Sequence, residues 1–394
     1  MRTFPILRLA LVALIALTAL PLAAGAQGTL STQGFGYPGG QLSARSLGTG
    51  GALGEQDPLS ATNPASILNF NGSILYFQIE PEYRTLRVGD QTDRATIARF
   101  PLTTAAVPIG EKFVLGLTVS NLLDRSFITE SRRSQLVGGS TVTSTNTFSS
   151  NGAIGDVRLA LGWAPQSWLR LGVAGHVITG DNALRSTERF DDSVTFASIV
   201  DTATVTFAGT AYSTGVELVA PNLFSVAVSY RRGGPLSLKR ADTTLRKATV
   251  PDRGAVGVAF TGIKGTTIAA RAAYDRWSNM QSLAPSQPIR NSWDYSIGAD
   301  VAGPTLLGAQ LQLRTGLRRR MLPFGIPLAP GSIGTIDDGS SGVKERSYSF
   351  GTGTVLARGR ASVDITGIRA TRSDASTAIG ETAWTMSLGV SVRP

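Results

Sequence analysis

The chain has 394 residues, a formal net charge of +10, 45 glycines, one histidine and no cysteine. These numbers exclude disulfides and any metal site built from several cysteines and histidines. The basic residues are spread along the chain, and it has no phosphate-binding glycine loop, so we expect no nucleic acid partner and no cofactor.

The N-terminus has the pattern of a cleaved signal peptide. Arg2 precedes an apolar run over residues 6–20, and Ala24-Gly25-Ala26 supplies the small residues that signal peptidase requires. As a membrane anchor, the run is short for a complete span. We therefore expect residues 1–26 to be removed and the mature chain to begin at Gln27.

Residues 27–72 are glycine-rich and show no alternation, but the remainder of the chain alternates apolar and polar side chains between turns. In the last segment, Trp384, Met386 and Leu388 fall on one face, with small or polar residues on the other. A sheet that is apolar on one face and hydrated on the other is typical of a barrel in lipid. Candidate strands lie near 73–87, 94–108, 112–129, 152–164, 168–180, 208–220, 223–232, 253–261, 266–277, 292–303, 308–319, 346–357, 360–371 and 382–393.

The lengths of the connections support this assignment. Short turns such as Pro165-Gln166-Ser167 and Pro221-Asn222 follow even-numbered candidate strands, whereas the long segments 130–151 and 181–207 follow odd-numbered ones. Bacterial barrels have short periplasmic turns and long external loops. We therefore predict an all-β fold over residues 73–394, a 14-stranded antiparallel transmembrane β-barrel in the outer membrane, with its N-terminus in the periplasm.

Several short motifs occur in an order that one family shares. The glycine-rich residues 46–52 lead to Asn63-Pro64-Ala65, and segments 274–278 and 313–316 follow later in the chain. In these motifs the chain resembles the FadL/TodX family of outer-membrane hydrophobic-compound transporters. The resemblance implies a barrel with an N-terminal hatch, here residues 27–72, and a channel that releases its ligand sideways into the bilayer where the third strand bends inward.

The expected hatch contains a turn followed by apolar residues. Asn63-Pro64-Ala65 predicts a tight turn, because proline fixes its own φ and disfavours a helical conformation at the preceding residue. We expect Ile67, Leu68 and Phe70, which follow this turn, to pack against the barrel wall.

The third candidate strand loses its alternation at residues 120–124. Ser120, Asn121 and Asp124 are therefore candidates for the kink that a lateral gate needs. The alternative is that the strand simply nears its extracellular end at these residues.

Charged residues of both signs occupy inward positions, and most are expected to pair across neighbouring strands. Arg314 and Arg318 are the candidate contacts for a ligand carboxylate, since a guanidinium can hold a carboxylate through two hydrogen bonds. His176 is the single histidine, so a serine hydrolase would have to combine it with Ser213 or another inward serine. No feature singles out a serine, and we expect no enzyme.

The functional expectation is passive uptake of hydrophobic or amphipathic small molecules of the fatty acid or hydrocarbon class. The alternatives are a PorV-like structural or secretion-associated barrel without transport of its own, and an open nonspecific porin. Expected partners are the hydrophobic ligand, outer-membrane lipids with lipopolysaccharide, and the barrel-assembly machinery. The chain ends in Pro394 instead of the aromatic residue that most such barrels use as an assembly signal.

Overall fold

The computed structural model describes residues 35–88, 90–137, 140–192, 195–285, 288–306, 308–324, 342–373 and 379–393. The expected signal peptide and the first residues of the expected hatch lie outside these ranges. Across the described residues, sixteen strands form one antiparallel sheet. They are β1 (Ile74–Val88), β2 (Gln91–Ile109), β3 (Phe113–Asp124), β4 (Phe127–Val137), β5 (Ser140–Gln166), β6 (Leu169–Phe190), β7 (Ile199–Ala220), β8 (Phe224–Arg240), β9 (Thr243–Thr249), β10 (Arg253–Ile263), β11 (Thr266–Asp275), β12 (Ser292–Leu306), β13 (Ala309–Met321), β14 (Lys344–Leu356), β15 (Ala361–Ser373) and β16 (Ile379–Val392).

Fourteen of these strands close into a barrel, as the sequence predicts. β1 pairs with β16 from Leu75 opposite Val392 to Val88 opposite Ile379, which closes the ring. β8 pairs directly with β10, so β9 is an extension of β8 outside the ring. β4 likewise pairs with β5 alone.

The extra strands revise the predicted loops. Residues 130–151, which the sequence suggests to be a loop, contain most of β4 and the first part of β5, and β6 and β7 extend into 181–207. The pairs in β4 and β5 are mostly Ser, Thr, Asn and Arg on both faces. Without an apolar face these segments give no alternation signal, although their backbones still pair. We call the end of the barrel that carries these extensions the long-loop end and the opposite end the short-turn end.

The two faces of the wall differ in polarity. Gln78, Glu82 and Arg84 of β1 face inward and are buried, whereas the neighbouring Leu75 and Phe77 are 55% and 47% exposed on the outside. The outer surface therefore offers the apolar band that a lipid bilayer requires. No helix in the described residues is both long and apolar enough to cross a membrane.

Residues 35–72 pack against the inner face of the wall. They contain α1 (Ala44–Gly48) and a 3-10 helix at Pro64–Asn69. Glycines in the wall allow this close approach: a Cβ at Gly316 of β13 would lie 2.0 Å from the carbonyl carbon of Thr49, and one at Gly215 of β7 would lie 1.8 Å from Asn63 Oδ1. Any side chain at these two positions would displace the segment.

Candidate functional site

Among the described residues, the part of β2 before Leu102 has no ladder partner on the side of β3. β2 and β3 pair from Ile109 opposite Phe113 up to Leu102 opposite Ser120, and the described pairing of these two strands ends there. Beyond this point β2 continues beside β1, while β3 continues beside β5 through a bulge between Asn121 and Leu123. The separation begins next to Pro101, which has no N–H to donate to a ladder. We call this separation of β2 and β3 the wall gap.

The N-terminal segment lies at the wall gap. The backbone N–H of Tyr37 donates to the carbonyl of Asp124 at 2.7 Å, and the N–H of Asp124 donates back at 2.9 Å. Three residues further on, Gly40 has a φ of +91°, and a Cβ there would lie 3.0 Å from the Cβ atoms of both Pro101 and Asn121. The segment therefore contacts both edges of the gap.

Of the three residues expected at a kink, Asn121 lies at the bulge and Asp124 bonds to Tyr37. Ser120 is buried and marks the last pair with β2. The carboxylate of Asp124 also accepts a hydrogen bond of 2.5 Å from Arg99 Nε of β2, so the two separated strands are linked by side chains.

Tyr37 is held by a polar cluster of the wall. Its hydroxyl donates to Glu345 Oε2 at 2.9 Å and accepts from Arg372 Nη2 at 2.8 Å, and Arg320 donates to the same oxygen. Four guanidinium carbons lie 4.6–5.6 Å from the centre of its ring, those of Arg84, Arg99, Arg320 and Arg372. Burial raises the pKa of Tyr37 although Arg320 and Arg372 oppose this, so the hydroxyl keeps its proton.

A second anchor of the segment is Glu55, which is fully buried. Its carboxylate accepts hydrogen bonds from Ser229 Oγ at 2.7 Å, Arg271 Nε at 3.1 Å and Arg253 Nη2 at 3.3 Å. Burial alone would raise the pKa of Glu55, but Arg253 and Arg271 hold it below its usual value. The segment is thus joined to β8, β10 and β11 through one ionised carboxylate.

The Asn-Pro-Ala motif begins the 3-10 helix. Asn63 has extended φ and ψ of −108° and 120°, and its Oδ1 accepts from the N–H of Ala65 at 2.9 Å, with Pro64 at the first helical positions. Its Nδ2 donates to the carbonyl of Glu55 at 2.9 Å. The motif therefore fixes the position of Glu55 as well as the start of the helix.

The apolar residues after the motif pack on the wall. Ile67 and Phe70 are buried and Leu68 is half-buried, in a cluster with Leu102 of β2 and Val114 of β3. This cluster lies against the paired part of β2 and β3, on the short-turn side of the wall gap.

Arg314 and Arg318 are both engaged in ion pairs. Arg314 donates to Asp300 at 3.1 Å and to Asp364 at 2.6 Å. Arg318 donates twice to the two oxygens of Asp294, at 2.8 and 2.7 Å. A ligand carboxylate would have to compete with these partners, so the pairing of inward charges is the role that the geometry favours.

The described part of the barrel encloses a smaller and a larger cavity. One of about 120 Å³ lies between residues 37–42 and charged wall residues that include Arg318 and Glu345. Sites for small molecules usually measure about 300–1,000 Å³, so this cavity suits water instead of a hydrocarbon. One of about 830 Å³ opens at the short-turn end, beside Arg45, Phe70 and Arg314.

An apolar cluster lies toward the long-loop end of the interior. Phe35 packs edge-on against Trp277 with ring centres 6.1 Å apart, within a buried cluster that includes Leu123 of β3, Phe207 of β7 and Met280. We call this cluster the apolar cap. It adjoins the wall gap through Leu123, whose side chain lies 2.7 Å from where a Cβ of Gly36 would be.

His176 forms a hydrogen-bonded chain with an acid and a serine. Nδ1 of His176 lies 2.8 Å from Asp156 Oδ1, and Nε2 lies 2.8 Å from Ser213 Oγ. This is the order of groups in serine hydrolases. However, all three side chains are buried, and Ser213 lines neither the smaller nor the larger interior cavity. Burial leaves the hydroxyl poorly accessible to a substrate.

Sequence reasoning does not identify Tyr37 or Glu55 as site residues. Glu55 could have been noticed as an acid inside a stretch of glycine and alanine. Tyr37 has no such signal, because its partners Arg320, Glu345 and Arg372 are about 300 residues away in the chain.

A closed 14-stranded antiparallel barrel with an N-terminal segment against its inner face is a FadL/TodX-like fold, in agreement with the resemblance in the sequence. A crystal structure of a Pseudomonas aeruginosa FadL homologue matches with a TM-score of 0.63 and 11% identity, covering 91% of this chain and 99% of that one. The P. putida toluene transporter TodX matches with a TM-score of 0.56 and 11% identity, covering 89% and 98%.

The CymD monoaromatic hydrocarbon channel gives a TM-score of 0.50 and 12% identity, covering 95% of this chain and 99% of that one. No protein-family profile and no curated protein sequence matches the chain. At these identities the likeness concerns the fold.

Proposed function

We propose that this chain is an outer-membrane channel for passive uptake of hydrophobic or amphipathic small molecules of the fatty acid or hydrocarbon class, with lateral release into the membrane. In this proposal residues 1–26 are the signal peptide, 27–72 the hatch and 73–394 the barrel, with the N-terminus in the periplasm. The observation that carries it is the wall gap, where β2 lacks its neighbour and residues of the N-terminal segment contact both edges.

An apolar ligand loses less free energy by a lateral exit than by passage through a hydrated lumen. Moving a hydrocarbon chain from lipid or an apolar site into water costs about 0.8 kcal/mol per methylene. The interior near the short-turn end contains charged groups such as Arg45, Asp300 and Arg314 around the larger cavity. A ligand that leaves through the wall gap would reach lipid without crossing that hydrated region.

The apolar cap is the first contact for the ligand in this proposal. It lies at the long-loop end, is built from Phe35, Leu123, Trp277 and other apolar side chains, and adjoins the wall gap. Passage then requires that residues 36–40 move away from Asn121 and Pro101, and that the ion pair of Arg99 with Asp124 across the gap separates. The bonds of Tyr37 to Glu345 and Arg372 oppose that movement, so they set how readily the gap opens.

A covalent link that holds the N-terminal segment against the β3 edge of the gap tests the proposal. The chain has no cysteine, so the double variant Gly40→Cys/Asn121→Cys can form a single defined disulfide. The Cβ separation of 3.0 Å at this pair is a few tenths of an ångström short of the usual range near 3.5–4.5 Å. In proteoliposomes, uptake of a fatty acid or an aromatic hydrocarbon should stop on oxidation and return on reduction. A cysteine at residue 40 would have to adopt the left-handed φ of +91°, so Gly40→Cys alone, treated in the same way, is the matched control for that strain.

Equal uptake by the oxidised and reduced double variant would reject lateral release at this gap. If, in addition, cells that lack the protein take up these compounds as well as cells that contain it, transport itself is rejected. A PorV-like structural or secretion-associated barrel then becomes the better account. An open nonspecific porin would instead pass small hydrophilic solutes whether or not the disulfide is closed.

A further inference from the structure

Two arginines face each other on the outer surface of the barrel. Arg319 of β13 and Arg346 of β14 are direct cross-strand neighbours, and both side chains are exposed on the face that carries the apolar band. Neither has a carboxylate at ion-pairing distance within the described ranges of the chain. Like charges directly opposite each other destabilise an antiparallel pair. An anionic group between the two guanidiniums would remove that cost.

An apolar groove of about 600 Å³ begins at this arginine pair. Along one row of the sheet, Val258 is opposite Ala270, Ala270 opposite Ile297, Ile297 opposite Leu317, and Leu317 opposite Tyr348. Ala270 and the neighbouring Ala272 of β11 are short, so the surface is recessed between the larger side chains. The groove therefore combines a cationic end with an apolar floor.

Aromatic side chains indicate the depth of the arginine pair in the membrane. Tyr295 and Tyr348 line the groove beside it, and Trp384 lies under Arg369 with 5.8 Å between the guanidinium carbon and the ring centre. Aromatic residues of barrels collect at the membrane–water interface, at the level of the headgroups. Arg319 and Arg346 are thus placed where a lipid phosphate would be, and the groove is where its acyl chain would be.

We propose that this surface binds one phosphorylated membrane lipid, with its phosphate between Arg319 and Arg346 and an acyl chain in the groove floored by Ala270 and Ala272. Guanidinium groups bind phosphate through paired, charge-assisted hydrogen bonds. With the long-loop end outward, as proposed above, the lipid is the phosphorylated anchor of lipopolysaccharide. The site needs the membrane location of the barrel but is independent of transport.

Binding of bisphosphorylated lipid A to the detergent-solubilised protein, followed by native mass spectrometry, tests this site. The wild type should retain one lipid, and Arg319→Gln/Arg346→Gln should bind at least about tenfold more weakly, because each charge-assisted hydrogen bond lost is a strong one. Arg87→Gln/Arg133→Gln removes the same charge from two other exposed arginines and should bind as the wild type does. Ala270→Phe fills the groove and keeps the charges, and it should also weaken binding.

Three further measurements distinguish a lipid site from a site that binds phosphate or sugar alone, or that binds any phospholipid. Inorganic phosphate and a phosphorylated glucosamine disaccharide without acyl chains should not compete at concentrations where lipid A is bound. Phosphatidylcholine, whose headgroup has no net charge, should bind weakly. Equal lipid retention by both double arginine variants would overturn the proposal. Full competition by the acyl-free disaccharide would also overturn it. Retention of the heat-dependent shift in electrophoretic mobility shows that each variant remains a folded barrel.

Discussion

Tyr37 and Asp124 exchange two backbone hydrogen bonds, of 2.7 and 2.9 Å, at the place where β2 and β3 separate. Tyr37 of the N-terminal segment thus pairs with β3 as a neighbouring strand would, at a position where β2 no longer does. The side chain of Tyr37 points to a cluster of wall charges, so one residue links the segment to β3 by its backbone and to β13, β14 and β15 by its hydroxyl. This double attachment makes Tyr37 the residue whose replacement is most informative.

Tyr37→Phe should loosen the segment and keep the barrel. The variant loses the hydroxyl that bonds Glu345, Arg320 and Arg372, at a cost of about 1–3 kcal/mol to the closed arrangement, but it keeps the ring under the guanidiniums. Planar-bilayer recordings should show more frequent openings than in the wild type. Tyr83→Phe, which removes a hydroxyl from the outer surface, is the control. Identical opening frequencies for wild type and Tyr37→Phe would show that the hydrogen bonds of the Tyr37 hydroxyl do not hold the segment in its closed position.

Glu55 should make the attachment of the segment sensitive to acid. Its pKa is lower in the folded protein than the usual 4.5, because Arg253 and Arg271 outweigh burial. The stability it contributes is therefore fully present above about pH 4.5 and is lost as the pH falls through the lower folded value.

Hydrogen exchange of residues 49–57 measures this contribution. Exchange in the wild type should accelerate as the pH falls below about 4.5, after correction for the intrinsic rate. Glu55→Gln should exchange faster already at neutral pH and respond less to acid. Equal acid response in both proteins would show that other carboxylates hold the segment.

Glycines of the wall should determine whether the N-terminal segment can pack against the inner face of the barrel. Gly316→Val introduces a Cβ that would lie 2.0 Å from the carbonyl carbon of Thr49, so the segment must leave its position. Conductance should rise toward that of a barrel from which residues 33–66 are deleted. Gly175→Val is the matched control, because a Cβ at Gly175 meets nothing within 4 Å. A tightly closed Gly316→Val barrel would mean that the segment does not fill the lumen.

The hydrogen-bonded residues Asp156, His176 and Ser213 should have no hydrolase activity. Ser213 is only 4% exposed and lines neither interior cavity described above, so a fluorophosphonate probe should leave the folded protein unlabelled. Labelling that disappears in Ser213→Ala but persists in Ser229→Ala would identify a serine hydrolase and overturn the expectation of no enzyme.

The barrel could be predicted from the sequence because the alternation of apolar and polar residues is visible within each strand, even when the partner strand is unknown. β13 is an example: Leu313 and Leu317 alternate with Arg314 and Gly316, which fixes the two faces before any pairing is known. β4 could not be found in this way, since Arg132 and Arg133 are adjacent and no face is apolar. Long-range pairs such as Tyr37 with Glu345 require the folded barrel, because nothing in either local sequence indicates the other.

The bonds of Glu55 have a consequence for the ion preference of the empty pore. In the closed protein this carboxylate lies between Arg253 and Arg271 and offsets their charge. When the segment leaves, Glu55 leaves with it, and these guanidiniums keep only their wall partners Asp275 and Asp294. The loss of one negative charge should shift the ion preference of the opened barrel toward anions, and a reversal potential in a salt gradient would report how far the segment has moved.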